Sequence, residues 1–247
     1  MTYTQTLANW LEDLTHDDRF FGVVIGVVTD NKDPRGWGRV KLKFPWLSEA
    51  ETSPWARIAT PMAGKGRGFY FLPEVNDEVL VAFEHGEIST PYVLGSLWNG
   101  QEKPPGFDGS NVLDPQASEP SQDQANNLDR RAIVSRSGLT VLLDDTKGKE
   151  QICIQDKAGK NMVQIDAAKK AIVVTSDEGT VTIQAKGDVM IKSRSGDITL
   201  SGKNIALKAQ SNCSIQANQA CDVTANTGMN LKCSAGVKVN DGALEVI

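Results

Sequence analysis

The chain has 247 residues, a mass of 26.7 kDa and a formal net charge of −5, a size that suits one or two domains and an acidic balance that gives no electrostatic reason to capture nucleic acid or anionic lipid. No apolar run approaches the ~18–20 residues of a membrane span, and the start MTYTQTLANWLEDL lacks the basic and apolar regions of a signal peptide. Synthesis in the cytoplasm with no membrane anchor is the expectation.

Residues 1–19 read as an N-terminal helix. Leu7, Trp10, Leu11 and Leu14 fall at i, i+3, i+4 and i+7, which places them on one apolar stripe. Two roles stay open for that stripe: packing on its own domain, or docking on another protein. From Phe20 the pattern becomes that of strands. FFGVVIGVVTD is a Val/Ile-rich strand and NKDPRGWG a turn. GRVKLKF alternates, with Val40, Leu42 and Phe44 on one face and Arg39, Lys41 and Lys43 on the other, as a half-buried strand does. WARIAT is a further strand. The Gly-rich loop GKGRG leads to a short aromatic strand (Phe69, Tyr70, Phe71), followed by EVLVAFEHG and PYVLGSLWNG. Five or six short strands in about 80 residues, with no strong helix among them, predict a small barrel of the OB type. GKGRG lacks the spacing of a phosphate loop and reads as a mobile surface loop. The aromatic run beside Lys65 and Arg67 is a pattern by which OB barrels hold single-stranded nucleic acid, an alternative that the acidic charge disfavours. His85, at a strand end, reads as a surface residue.

Residues 20–100 resemble the OB-fold of phage baseplate assembly protein V, a domain that recurs in the VgrG spikes of type VI secretion systems and in spikes of extracellular contractile injection systems. GRVKLKFPW is similar to the family's Gly-Arg-Val strand ending in Phe-Pro-Trp. FLPEVNDEVLVAFEHG is similar to its Pro-Glu-X-X-Asp-Glu-Val-Leu-Val turn and strand. Asn76 stands where that family usually has Gly, and Asn tolerates positive φ better than most residues.

Residues 101–132 are polar and rich in Pro, Gly, Ser, Asn and Gln, a linker composition. Some members of the resembled family carry a lysozyme domain between barrel and tail; this linker is too short to hold one. Beyond it the composition changes. All 15 aromatic residues and all 10 prolines lie within residues 1–120, whereas the four cysteines follow residue 150. The second part therefore reads as a thin object built on aliphatic and small side chains.

That part, residues 133–247, is periodic. Apolar pairs begin at Val141, Ile152, Val163, Ile172, Val181, Val189, Ile198 and Ile205, spaced 11, 11, 9, 9, 8, 9 and 7 residues, and the period then locks at eight. Ile205, Cys213, Cys221, Met229 and Val237 form one column. Leu207, Ile215, Val223, Leu231 and Val239 form a second, and Ala209, Ala217, Ala225 and Cys233 a third. Apolar residues at i, i+2 and often i+4 give strands with one buried face. A repeat of this kind stacks in order to bury its stripe. A single-chain β-helix needs roughly 20 residues per coil, so an eight-residue unit supplies one side of a triangle. Three chains winding together close it. The fold class expected is therefore all-β: an OB-fold barrel followed by an intertwined, trimeric, triple-stranded β-helix, as in the resembled spikes. About eleven or twelve strands per face at ~4.8 Å each give a needle of roughly 50–60 Å. The ten column residues Ile205, Leu207, Cys213, Ile215, Cys221, Val223, Met229, Leu231, Val237 and Val239 are its expected trimer core.

Chemistry is sparse. Two histidines and four cysteines without short paired spacings argue against a zinc cluster, a disulfide framework or a His-based triad. Cys213, Cys221 and Cys233 read as small buried hydrophobes; a ring of thiolates binding a soft metal and interchain disulfides are the other readings. Asp144/Asp145 and Glu74/Asp77/Glu78 sit in turns and lack the substrate cleft of a glycosidase pair. No catalytic set, metal site or cofactor is expected, and the chain is read as a non-enzyme.

The end, GVKVNDGALEVI, keeps the inward pattern and encodes no tapered tip, so its last strands would expose open edges. By resemblance, a PAAR-type tip protein caps that end through Gly242, Leu244, Val246 and Ile247. The same resemblance implies a homotrimeric spike of a contractile tail-like particle. Its barrel docks on a baseplate hub, with Leu7, Trp10, Leu11 and Leu14 as candidate hub contacts. Only 19 residues precede Phe20, so the hub is expected to be a separate protein. A spike that also degrades peptidoglycan and an OB-fold nucleic-acid-binding module are the alternatives. The assembled particle could be extracellular.

Overall fold

The computed structural model describes residues 19–47, 51–106, 112–113 and 128–235. Leu7, Trp10, Leu11 and Leu14 lie outside the described residues, as do Val237, Val239, Gly242, Leu244, Val246 and Ile247. Among the described residues regular structure is strand, apart from one 3-10 turn at Glu84–Gly86 and the helical residue Leu128. The fold is all-β. The chain divides into two units, up to Ile183 and from Gln184.

The first sheet contains β1 (Val23–Asp30), β2 (Lys41–Lys43), β3 (Arg57–Ile58), β6 (Glu78–Phe83) and β7 (Pro91–Ser96), in the order β2-β1-β6-β7-β3. Neighbours run antiparallel except β3 and β7, which are parallel. Val40 and Ala56, just outside β2 and β3, exchange backbone hydrogen bonds of 3.1 and 2.7 Å, so the two edges of the sheet meet there. Register shifts between Val28 and Asp30 and between Leu80 and Val81 are the irregularities that bend strands and let a short sheet curl.

Strand alternation puts Val28, Val40, Leu42, Val79, Val81 and Val93 inside, all fully buried, with Phe44 and Phe83 packed edge to face at 5.4 Å. Gly26 of β1 makes room for this core. A Cβ there would lie 3.2 Å from both the Phe44 ring and Val81. The turn before β6 is built as its residues dictate. Asn76 takes φ 80°, its N–H donates to Val28 O (2.8 Å), and the Asp77 carboxylate accepts the Glu74 N–H (2.8 Å).

The expected aromatic strand is absent. Instead, β4 (Ala63–Gly64) and β5 (Arg67–Gly68) form a two-residue hairpin, and Phe69, Tyr70 and Phe71 follow it as exposed, non-strand residues. The reason is a shortage of open edges. β3 already covers the free side of β7, and the Val40–Ala56 bridge joins the other edge.

One carboxylate holds the turn between β1 and β2. Asp33 accepts the backbone N–H groups of Arg35 and Trp37 (both 3.0 Å) and a two-pronged contact from the Arg39 guanidinium (2.8 Å on each prong). The Arg39 hydrogen bond is the main cause holding the Asp33 carboxyl far below the usual carboxylate range, and it outweighs desolvation. The guanidinium carbon of Arg39 in turn lies 4.8 Å from the Trp37 ring centroid and 5.8 Å from that of Trp55.

Residues 130–176 form a second sheet: β8 (Arg130–Val134), β9 (Thr140–Asp144), β10 (Gln151–Gln155), β11 (Asn161–Asp166) and β12 (Ala171–Ser176). They pair in chain order, each antiparallel to the last. This differs from the expectation that strands after residue 133 pair only across chains. The apolar spacings of 11, 11 and 9 leave room for reversing turns, and each turn holds one left-handed residue: Gly138, Gly148, Gly159 and Lys170. Under the sheet lie Leu142 and Cys153, covered by Val112 and Leu113; a piece of the presumed linker thus packs as core. Asp144 is fully buried and pairs with Arg130 at 3.0 Å. Burial opposes its ionisation, but the hydrogen bond from the Thr146 N–H (2.9 Å) and the charge of Arg130 keep its carboxyl below the ordinary value.

Two outcomes follow. Leu42→Ala removes a fully buried side chain from the barrel core, and chemical denaturation should show a loss of ~2–5 kcal/mol. A depressed carboxylate contributes stability that is complete above its unfolded pKa, ~3.9, and disappears as pH falls through the lower folded value. Asp33→Asn should therefore lower the melting temperature at pH 7 and flatten its fall below pH ~4 in a pH series of thermal melts.

Candidate functional site

Beyond Ser176 the chain changes character. Every described residue from Asp177 to Ala235 is exposed, and no strand ladder forms among the described residues of this span. The backbone nevertheless keeps a rhythm. It bends at 186–187, 194–196, 203, 210–211, 218–219, 226–227 and 234–235. These bends follow the spacing of the apolar pairs, including the settled period of eight. Each unit is a straight run followed by a bend, and side chains at i and i+2 of a straight run point the same way.

The apolar columns are placed accordingly. Ile205, Met229, Leu207, Ile215, Val223 and Leu231 are all exposed, Ile215 by 76% and Leu231 by 73%. Cys213 and Cys221, one unit apart in the first column, are free and exposed in the single chain, as is Cys233. Alternate positions carry Lys208, Ser214, Gln216, Asp222, Thr224 and Lys232. A lone chain in this form would leave both its apolar stripe and its backbone donors and acceptors to water. Strands supplied from outside this segment would satisfy stripe and backbone together. Burying one Val, Leu or Ile side chain is worth ~1.5–3 kcal/mol, so eight column positions per chain make a substantial driving force for association.

The other residues singled out by sequence fall in structural roles. Asp144 pairs with Arg130, Asp145 with Arg131 (2.9 Å), and Glu74 with Arg136 (2.6 Å). His85 takes φ 50° in the 3-10 turn. Cys153 is buried, and desolvation pushes its thiol pKa up, which makes it less nucleophilic. Among the described residues no group of three or more His, Cys, Asp or Glu could hold a metal ion, and no helix is long and apolar enough to cross a membrane. The signal the sequence reading passed over is the outward aliphatic face of β8–β12, visible in the same apolar pairs once their turns are known to reverse.

Residues 24–98 match the family described as the type VI secretion system/phage-baseplate injector OB domain. The chain is 26% identical over 151 residues to type VI secretion system spike protein VgrG1a of Pseudomonas aeruginosa, covering 59% of this chain and 22% of that protein. It is 34% identical over 73 residues to spike protein VgrG2a of the same organism, covering 28% of this chain and 9% of that protein. It is 25% identical over 139 residues to the actin cross-linking toxin VgrG1 of Vibrio cholerae, covering 53% of this chain and 10% of that protein. The chain thus spans less than a quarter of the length of these curated relatives. The 151-residue match is about twice as long as the matched domain, so the likeness continues outside it. Residues 24–98 thus match the injector OB domain of the type VI secretion/phage-baseplate family, and the chain is similar to VgrG spike proteins.

Proposed function

We propose that this chain is the central spike of a contractile tail or injection machine and acts mechanically. Three copies wind residues of the 133–247 needle region around one axis, with the columns of Ile205 and Leu207 turned inward and the polar positions outward. The OB domain, residues 20–100, docks on a baseplate hub, helped by Leu7, Trp10, Leu11 and Leu14. Gly242, Leu244, Val246 and Ile247 seat a PAAR-type tip protein. On contraction the assembled spike is driven through a target envelope, so the working location is a tail or tail-like particle.

The observation that carries this reading is the repeat itself. It bends every eight residues, exposes its apolar columns and forms no ladder with its own chain among the described residues. The names of the relatives, spike proteins of a secretion system, support the same reading. A threefold needle also accounts for the composition after residue 120, where aromatic side chains are missing. A narrow shared axis admits Ala, Cys, Val and Ile but no rings.

The test compares neighbouring positions of one unit. Val223→Asp puts a charge on the proposed axis, and sedimentation should show the trimer dissociating. Thr224→Asp puts the same charge on the outer face and should leave the mass unchanged. Equal behaviour of the two variants would contradict the needle.

A further inference from the structure

The β8–β12 sheet has its faces reversed for a protein that stands alone. The covered face mixes Leu142 and Cys153 with the polar Thr140, Asp144, Gln155 and Asp166. The uncovered face carries two straight aliphatic rows. One runs Leu143–Ile152–Ile165–Ile172, and the other Ile133–Val141–Ile154–Val163–Val174, each step a directly paired position on adjacent strands. All are exposed except the half-buried Val141. A patch of this extent, several hundred Å², reaches or exceeds the ~300–600 Å² that a monomer leaves open and approaches the ~800 Å² per partner of a stable interface.

The eight-residue repeat raises a separate problem. Sliding one chain along its neighbours by one unit sets Ile205 at the level of Cys213 and Leu207 at the level of Ile215. Apolar meets apolar again, so the repeat alone specifies its register weakly. Residues 130–176 have what the repeat lacks. Their spacings are irregular, their strands pair within one chain, and such local contacts form early in folding.

We propose that the two aliphatic rows of β8–β12 seat against the same face of two other copies of this chain, and that this contact sets the register in which the eight-residue units wind. The proposal rests on the trimeric reading above. The occupant is a second copy because the face leads along the chain directly into the repeat, whose exposed columns are of the same aliphatic kind. The rows themselves carry no charge to select a different partner. Arg131, at the end of the first row, is already engaged by Asp145.

Hydrogen exchange with mass spectrometry on the full chain tests this. The double variant Ile154→Thr/Val163→Thr keeps β-branched residues at positions exposed in the single chain, so the sheet should keep its protection. Slipped trimers leave their outermost units unpaired, so peptides from the ends of the repeat should split into two populations, one exchanging at least roughly tenfold faster. Loss of protection along the whole repeat with the sheet intact would also support the proposal. A single protected population indistinguishable from wild type would overturn it. If the double variant loses the sheet as well, Ile172→Thr, on the last strand, is read by the same criteria. A wild-type chain with no protection from Ile205 to Leu231 would sink the trimeric reading itself, a result distinct from failure of the register lock.

Discussion

A strand-and-bend unit of eight residues is too short to travel round a closed coil, and the rest of the structure depends on that constraint. Backbone N–H and C=O groups need partners wherever water is excluded, and an apolar stripe gains stability only by leaving water. The described residues from Asp177 to Ala235 meet neither need within their own chain. Their bends follow the repeat and their columns stand open. On the function proposed above, other copies of the chain meet both needs.

The barrel solves the same two problems internally. Its sheet edges meet at Val40 and Ala56, and its core is filled by valines, Leu42 and the Phe44–Phe83 pair. Its most elaborate turn is organised around the single Asp33 carboxylate with Arg39. The β8–β12 sheet stands between these cases. Its strands pair with one another within the chain, while its apolar rows are left open. A self-paired sheet that still wants a partner is suited to bring chains together before a segment that cannot pair with itself.

Much of this was legible in the residues. The alternation of Val40, Leu42 and Phe44 gave a strand with the right face inside. Asn76, where the resembled family usually has Gly, tolerates positive φ and takes it. The eight-residue period reappears as the spacing of backbone bends. Other features were beyond local pattern. Apolar pairs do not say whether the turn between them reverses the chain, so β8–β12 looked like more needle. Phe69–Phe71 had strand composition, but the barrel offered no edge to receive it. Leu113 sits in a stretch of linker composition and packs beneath Leu142 and Cys153 all the same. Asp33 shows no sign in sequence that it will gather the turn, because its partners are mostly backbone N–H groups. The hub and tip residues lie outside the described residues, and their roles rest on pattern and resemblance.

The most direct test of the account is the native mass of the full chain in solution, measured by light scattering after size exclusion. The account predicts a single species of three times 26.7 kDa. A monodisperse species of one chain would contradict it, because an eight-residue unit cannot bury its stripe alone.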